Sequence, residues 1–442
     1  VQASTLRRVG RYRWPLLITF AVGVTAVFSL SPLVDVVQPN SPAAATLRTP
    51  FLYDLLAPAS NILDTLTLLT PAQYLATFAF CVAAFFAPGI VRDLRRPRGF
   101  SGLSTIVSCL RFLGGTVAIV GIMIVAWRPM AALRLHDPDL IAVDFHSHTS
   151  ASHDGRPDFD TEKNREWHQS SGFNAAYITD HRTFAGALDA AERNPRVAGD
   201  GVTLLPGVEL RDGDEHPILL GANPSRTRLA SADLEGAKVV TDGGPVPPIL
   251  LLTIPGNIVQ VPPSEYTGPI RLAGIEISDG SPRGMAQTAR YKKNILALAD
   301  KLHLAPVAGS DNHGWGRTAP AWSVLRIPGW RRMNPASLDV AIRRTILARN
   351  PGTTEVIARR TVGPPSGRVE AALGGVAAGA LMFRTMNLRD RLSWILWSWS
   401  AALLSLVRAR RNRRQLRIRI RESMRSRASR PLIDAAAVRI AS

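Results

Sequence analysis

Leu140-Ile141-Ala142-Val143-Asp144-Phe145-His146-Ser147-His148 is the stretch from which the fold of this chain can be read. An apolar run of strand character ends in two imidazoles one residue apart, so both rings leave the end of a single strand. Outward from it the same arrangement recurs. Asp154-Gly155 follows, then Thr179-Asp180-His181 after the run 175–178, Gly207-Val208-Glu209 after 202–205, and Gly309-Ser310-Asp311-Asn312-His313 after 304–307. The runs 249–254 and 272–277 continue the strand pattern, and helical stretches at 160–171, 184–193 and 288–302 lie between the strands. Strands alternating with helices imply a mainly parallel sheet, whose chemistry gathers at the carboxyl ends of the strands. His146, His181, Glu209 and Asp311 all fall there. Imidazoles and carboxylates brought together from separate loops are ligands for zinc, manganese or iron.

Order, spacing and flanking residues of these motifs resemble the PHP family over residues 142–326. Its members, named for polymerase and histidinol phosphatase, are metal-dependent phosphoesterases. The resemblance implies an α/β fold, a distorted (β/α)7 barrel, and eight metal ligands. The family's opening His-x-His pair falls on His146 and His148, and its acidic residue eight positions after the first histidine falls on Asp154. Its Thr-Asp-His motif gives His181, its Gly-x-Glu gives Glu209, the next histidine gives His216, and its closing Asp-x-His gives Asp311 and His313. A ninth ligand, from a His-Pro pair, is replaced: the chain reads Leu252-Thr253-Ile254-Pro255-Gly256-Asn257, and isoleucine cannot ligate.

By the same resemblance one ion takes His146, His148, Glu209 and Asp311, and another takes Asp154, His181 and His313. A further position keeps only Glu209 and His216, with Asn257 or water as a substitute. The expected cofactors are two or three divalent ions of zinc, manganese or iron, with Asp311 and His313 taking part in catalysis. Because a divalent ion brings the pKa of coordinated water to about 7, the expected reaction is in-line attack of metal-held hydroxide on a phosphate ester. The alternative is a degenerate PHP-like ligand-binding or sensory module without turnover.

The remaining residues add and remove possibilities. His136, His153, His168 and His303 match no motif and are expected at the surface or behind the ligands. Asp180 is expected to orient an imidazole or to cap the following helix, and Arg182 and Arg317 to receive phosphate oxygens or to solvate the surface. There is no Gly-x-Ser-x-Gly elbow, and the glycine-rich segment 373–379 lacks the lysine of a phosphate-cradling loop.

The flanks differ from this region. Residues 14–34 and 71–91 are uncharged, and 103–127 is interrupted only by Arg111, so each run is long enough to cross a bilayer. Residues 392–407 form a shorter fourth run with three tryptophans; 371–383 reads as an interfacial or packed helix. The expected organisation is a membrane region at 1–127, a hydrolase domain at 128–368, and a membrane span with an arginine-rich tail at 369–442. Net charge is +19, yet residues 128–368 hold 28 basic and 26 acidic groups, so the excess lies in the flanks.

Arginines cluster before the first run, after the second and from Arg408 onward, and basic loops stay cytoplasmic. That places the 35–70 loop and the barrel outside, on the periplasmic or outer side of a bacterial cytoplasmic membrane crossed four times. The tail then meets anionic lipid headgroups. Nucleic acid is not the expected partner, since no aromatic residue interrupts the tail for base stacking. The partners expected are membrane lipids and a phosphorylated substrate. Cys81 and Cys109, both in the apolar runs, leave the hydrolase region without a disulfide.

Overall fold

All eight residues of Leu140–Ser147 are buried, as a strand covered on both faces must be. Alternation then splits its side chains: Ile141, Val143 and Phe145 join one apolar cluster, and Leu140 and Ala142 join another. The computed structural model describes residues 12–38, 40–94, 102–211, 216–225, 227–229, 237–238, 245–253, 270–350, 353–363 and 367–440. Ile254, Asn257, Gly99, Gly352 and most of the 226–248 segment lie outside the described residues.

Strands are numbered in chain order: β1 Leu33–Asp35, β2 Ala45–Arg48, β3 Ala132–Leu135, β4 Leu140–Ser147, β5 Ala175–Ile178, β6 Thr203–Glu209 and β7 Ile218–Leu220. The rest are β8 Arg228–Leu229, β9 Ala237–Lys238, β10 Ile249–Leu252, β11 Arg271–Asp279, β12 Ala305–Gly309, β13 Ala321–Arg326 and β14 Thr354–Arg359. Ten of them form one sheet in the order β1-β14-β13-β4-β5-β6-β7-β10-β11-β12. Within it β4, β5 and β6 are parallel, as are β10, β11 and β12, whereas β7 runs antiparallel to both of its neighbours.

The sheet curls until its last strand returns to β4. Asn312 bridges Ser147, Asp311 N donates to His146 O at 2.9 Å, and His148 N donates to Asn312 O at 3.0 Å. The result is a mixed α/β fold with a curled sheet, compatible with a distorted barrel. The helices between strands start and stop on local chemistry. Asp160 caps Thr161–Ser171 by accepting from Lys163 N, and Gly172 ends it at φ 87°. Ser281 caps Pro282–Lys301 ahead of a proline in its first turn.

The amino-terminal flank departs from expectation. The uncharged run at 14–34 is not one span: the helix is Arg13–Val27, and Leu33–Asp35 is β1, paired antiparallel with β14. Pro32, lacking an N–H, sits at the change. The expected 35–70 loop is also folded, with β2 paired to β3 and helices at Phe51–Leu55 and Ala57–Thr67. Its anchor is buried Asp64, which accepts from Tyr53 Oη and Thr318 Oγ1, each at 2.9 Å, and pairs with Arg128 and Arg359. Burial would raise this carboxyl, but Arg359 and Arg128 outweigh burial and hold it below the usual range. Breaking such a buried pair costs about 3–5 kcal/mol, because a charge is left uncompensated.

Two helical segments among the described residues are long and apolar enough to cross a membrane, Ile106–Val125 and Leu388–Leu416. Of the four expected spans, the first appears as the shorter apolar helix Arg13–Val27, and the second lies within the helix Pro71–Leu94. The helix Arg368–Thr385 lies against Pro71–Leu94, where a side chain at Gly375 would collide with Thr77. By packing, the chain divides into Ser29–Met386 and a second unit made of Val1–Phe28 with Asn387–Ser442. In the second unit Arg13–Val27 meets the helix Leu388–Ile440, with Trp399 Nε1 donating to Thr19 Oγ1 at 3.1 Å and Arg391 Nη1 to Val22 O at 3.1 Å.

Candidate metal centre

The carboxyl ends of β4, β5, β6 and β12 bring their following residues to one place. His146 and His148 leave the end of β4, His181 follows β5, Glu209 ends β6, and Asp311 and His313 follow β12. His216 arrives differently: because β7 is antiparallel, the residue before its start lies at the end where its parallel neighbours finish. A bridge between His181 and Glu209 and the bond from Leu210 N to Pro217 O (2.9 Å) fix these loops together.

All eight expected residues meet. Glu209, 3 % exposed, is the hub: its Oε2 lies 3.1 Å from His146 Nε2, 3.2 Å from His148 Nε2 and 3.2 Å from His181 Nδ1, and its Oε1 lies 2.8 Å from His216 Nδ1. Asp311 Oδ1 stands 3.3 Å from His148 Nε2 and 3.5 Å from both His146 Nε2 and His313 Nδ1. Asp154 closes the outer side, 3.2 Å from His313 Nε2 and 3.5 Å from His181 Nε2. Several triplets of these groups are close enough to share a cation, among them His146–His148–Glu209, His148–His181–His313 and His181–Glu209–His216.

Hydrogen bonding does not account for this crowding. His148 Nε2 and His313 Nε2 are buried without any directed hydrogen bond, although carboxylate oxygens stand 3.2–3.3 Å away. Buried polar atoms are ordinarily satisfied, so lone pairs converging on one point fit a divalent ion. The donor set of imidazoles and carboxylates is the set that zinc, manganese and iron accept.

Charge divides the centre in two. Burial would keep His146 neutral, but Asp311, Glu209 and Glu276 outweigh it and raise its pKa well above the usual value; the same contest lifts His148 to about 9. On the outer side burial wins. With some help from the cationic His148, it lowers His181 to about 4 and lowers His313 as well. Glu209, Asp311 and Asp154 are all held below the usual carboxylate range, the surrounding imidazoles overcoming burial in each.

Three residues that the motifs did not assign also stand here. Asp144 Oδ2 is 2.8 Å from His168 Nε2, and its Oδ1 accepts from His146 N at 3.2 Å and from Ser310 N at 2.9 Å. This wholly buried Asp144–His168 pair clasps β4 to the loop after β12. Glu276, on β11, faces His146 Nδ1 at 3.5 Å, and both of its oxygens are buried without a hydrogen bond. Gly309 makes this approach possible, since a side chain there would begin 1.9 Å from Glu276 Oε1. An acidic residue inside the apolar run 272–277 was the available signal for Glu276.

Asp180 neither orients an imidazole nor caps a helix. Its carboxylate accepts from Thr149 N at 2.7 Å and from Thr149 Oγ1 at 2.8 Å, holding the loop after His148. Arg182 contributes backbone, its N donating to Glu209 O at 2.9 Å, while the Arg317 guanidinium lies over the Trp127 ring. His153 is exposed beside Asp154 and His181, and the His136 ring meets Thr46 Oγ1 at 3.2 Å, away from the centre.

No family model and no curated protein matches the chain. Among solved structures it is similar to PsfC from Pseudomonas syringae, with 15 % identity over 56 % of this chain and 99 % of that one, at a TM-score of 0.34. A candidate metal-dependent phosphoesterase from Bifidobacterium adolescentis matches at 18 % identity over 47 % of this chain and 96 % of that one, TM-score 0.28. The lesion-specific endonuclease Q of Pyrococcus furiosus matches at 11 % identity over 49 % of this chain and 57 % of that one, TM-score 0.34.

Proposed function

We propose that this chain is a metal-dependent hydrolase of phosphate esters, built on a distorted seven-stranded barrel like that of the PHP family and anchored in a membrane. The observation that carries this reading is the convergence of His146, His148, His181 and His216 on Glu209, with Asp311 beside it and His148 Nε2 buried without a directed hydrogen bond. His146, His148, Glu209 and Asp311 would hold one ion, Asp154, His181 and His313 another, and Glu209 with His216 a third, weaker one. Ions bound there supply a water of pKa about 7 and charge stabilisation for the phosphoryl oxygens. Oxygen from water bonds to phosphorus, the ester P–O bond breaks, and the departing alkoxide takes the proton. The products are an alcohol and a phosphate.

The protein's part is positional and electrostatic. Glu209 and Asp311 are held ionised against burial by the imidazoles around them, so the inner half of the centre carries negative charge for a cation to meet. His313, held neutral by burial, keeps its ring available as a ligand at neutral pH. Asp311 and His313 line the open cavity, where an ester would meet them.

The deciding experiment uses the full chain in detergent, because residues 29–70 are integral to the folded unit. Bound metal is measured, and hydrolysis of p-nitrophenyl phosphate and of its bis ester is followed with added manganese or zinc. Turnover that disappears in His148→Ala and Asp311→Ala is expected. Bound metal with no turnover of either ester would overturn the enzyme reading in favour of a binding module, the outcome for which the Ile254 replacement speaks. Orientation has its own test: reporter fusions at Gly99 and Gly352 should report opposite sides of the membrane.

A further inference from the structure

The cavity beside the metal centre is far larger and less polar than a phosphate needs. Its volume is about 1080 Å³, slightly above the roughly 300–1,000 Å³ of ordinary small-molecule sites. Asp154, Asp311 and His313 form one part of its wall. Leu75, Phe78, Val120, Met123, Ile124 and Trp315 form another, and the first five come from the apolar helices Pro71–Leu94 and Gly102–Val125. Trp315 joins the two parts, since its Nε1 donates to Asp154 O at 3.2 Å.

A sugar or nucleotide phosphate would present hydroxyls and ring nitrogens to this wall and find few partners, at the expense of their lost hydration. A hydrocarbon chain needs none and gains from leaving water. Leu75 is 71 % exposed and Phe78 44 %, apolar surface adjoining the site that a chain would cover. Val120, Met123 and Ile124 belong to Ile106–Val125, a segment long and apolar enough to cross a membrane. The helix that would stand among lipids therefore also forms the wall of the cavity.

We infer that the ester hydrolysed at this centre is amphiphilic: a phosphate ester of an alcohol bearing a long hydrocarbon chain, drawn from the bilayer. Its phosphate sits at Asp154, Asp311 and His313, and its chain lies along Leu75, Phe78, Val120 and Met123. The inference rests on the phosphoesterase reading above and adds the substrate class. Hydrolysis frees phosphate into solution, while the lipid alcohol, having taken the proton from water, keeps its chain among apolar neighbours.

The test uses full-length protein with manganese at fixed detergent concentration. Two series from methyl to dodecyl are compared: n-alkyl phosphates, read by released phosphate, and n-alkyl p-nitrophenyl phosphates, read by released nitrophenol. kcat/KM is expected to rise at least about tenfold from methyl to dodecyl in the series the enzyme accepts. That ratio is expected to collapse both in Phe78→Ser, which makes the cleft polar, and in Val120→Trp, which fills it. Since each variant is judged by its own dodecyl-to-methyl ratio, partial misfolding does not mimic the effect.

Turnover independent of chain length would overturn the inference and leave the phosphoesterase reading standing. If neither series turned over, that reading would fail, and calorimetry with dodecyl and methyl phosphate would judge the cleft alone. Tighter binding of dodecyl phosphate, lost in Val120→Trp, would support it; equal binding of the two would refute it.

Discussion

The inner and outer halves of the metal centre share Glu209 but are built on opposite electrostatic terms. Around His146 and His148 the imidazoles are buried among carboxylates, which raise their pKa values; around His181 and His313 burial prevails and both are lowered. Exposure follows the same division. The His148 side chain is wholly buried, whereas Asp154 and His216 are 45 % and 48 % exposed. On the proposed reading the inner half would hold its ion away from water, and the outer half would be the rim where a second ion and the substrate meet it.

The sharpest way to break this contrast is to remove an inner ligand. His148→Ala or Asp311→Ala should lower kcat/KM by more than about 100-fold, exceeding what a supporting partner costs, and should remove bound metal from the purified protein. Retention of full metal content in either variant would mean that the halves are not distinct. Next in size is the clasp behind the inner half. Asp144→Asn or His168→Gln is expected to weaken metal binding by about 10–100-fold in a competition titration with a chelator, because His146 loses its fixed orientation.

Protons sharpen the comparison further. Without metal, His148, with a pKa of about 9, and His146, raised well above the usual value, are cationic at neutral pH. Only the neutral ring ligates, so filling the inner half must release protons, and its affinity should rise about tenfold per pH unit for each proton displaced, up to about pH 9. The outer half, with His181 at about 4, should show no such slope in the same range. Zinc calorimetry in buffers of different ionisation enthalpy counts the protons. The smallest effect is expected at the rim, where His216→Ala should reduce kcat/KM by less than about tenfold, as fits an exposed ligand of the least complete position.

Much of this centre was legible in the chain because six of its eight candidate ligands, all but Asp154 and His216, end or closely follow a short apolar run, and a strand end delivers whatever follows it. Ala175–Ile178 matches its run residue for residue, and β4, β6, β10, β11 and β12 contain most of theirs. What local pattern could not show was long-range pairing. β1 joins β14 across more than 300 residues, and three residues of β7 are too few for a period to appear. Absence of charge at 14–34 read as one crossing because hydropathy does not distinguish the end of a helix from a strand buried in a sheet. His168 stands behind the ligands, one of the two places expected for it, but its pairing with Asp144 and the place of Glu276 were not legible for a related reason: they depend on what faces them, from β4 and from the helix Thr161–Ser171.

Asp311 adopts φ 45°, a left-handed conformation that only glycine takes without strain, and Arg182 beside His181 does the same at φ 56°. Such positions cost about 1 kcal/mol or more, and the surrounding fold must over-determine them. An Asp311→Gly protein is relieved of that strain but leaves buried, cationic His146 and His148 short of a counter-charge, so it should melt below the metal-free native chain while hydrolysing nothing. The native sequence accepts a less comfortable backbone at this loop in exchange for one oxygen in the right place.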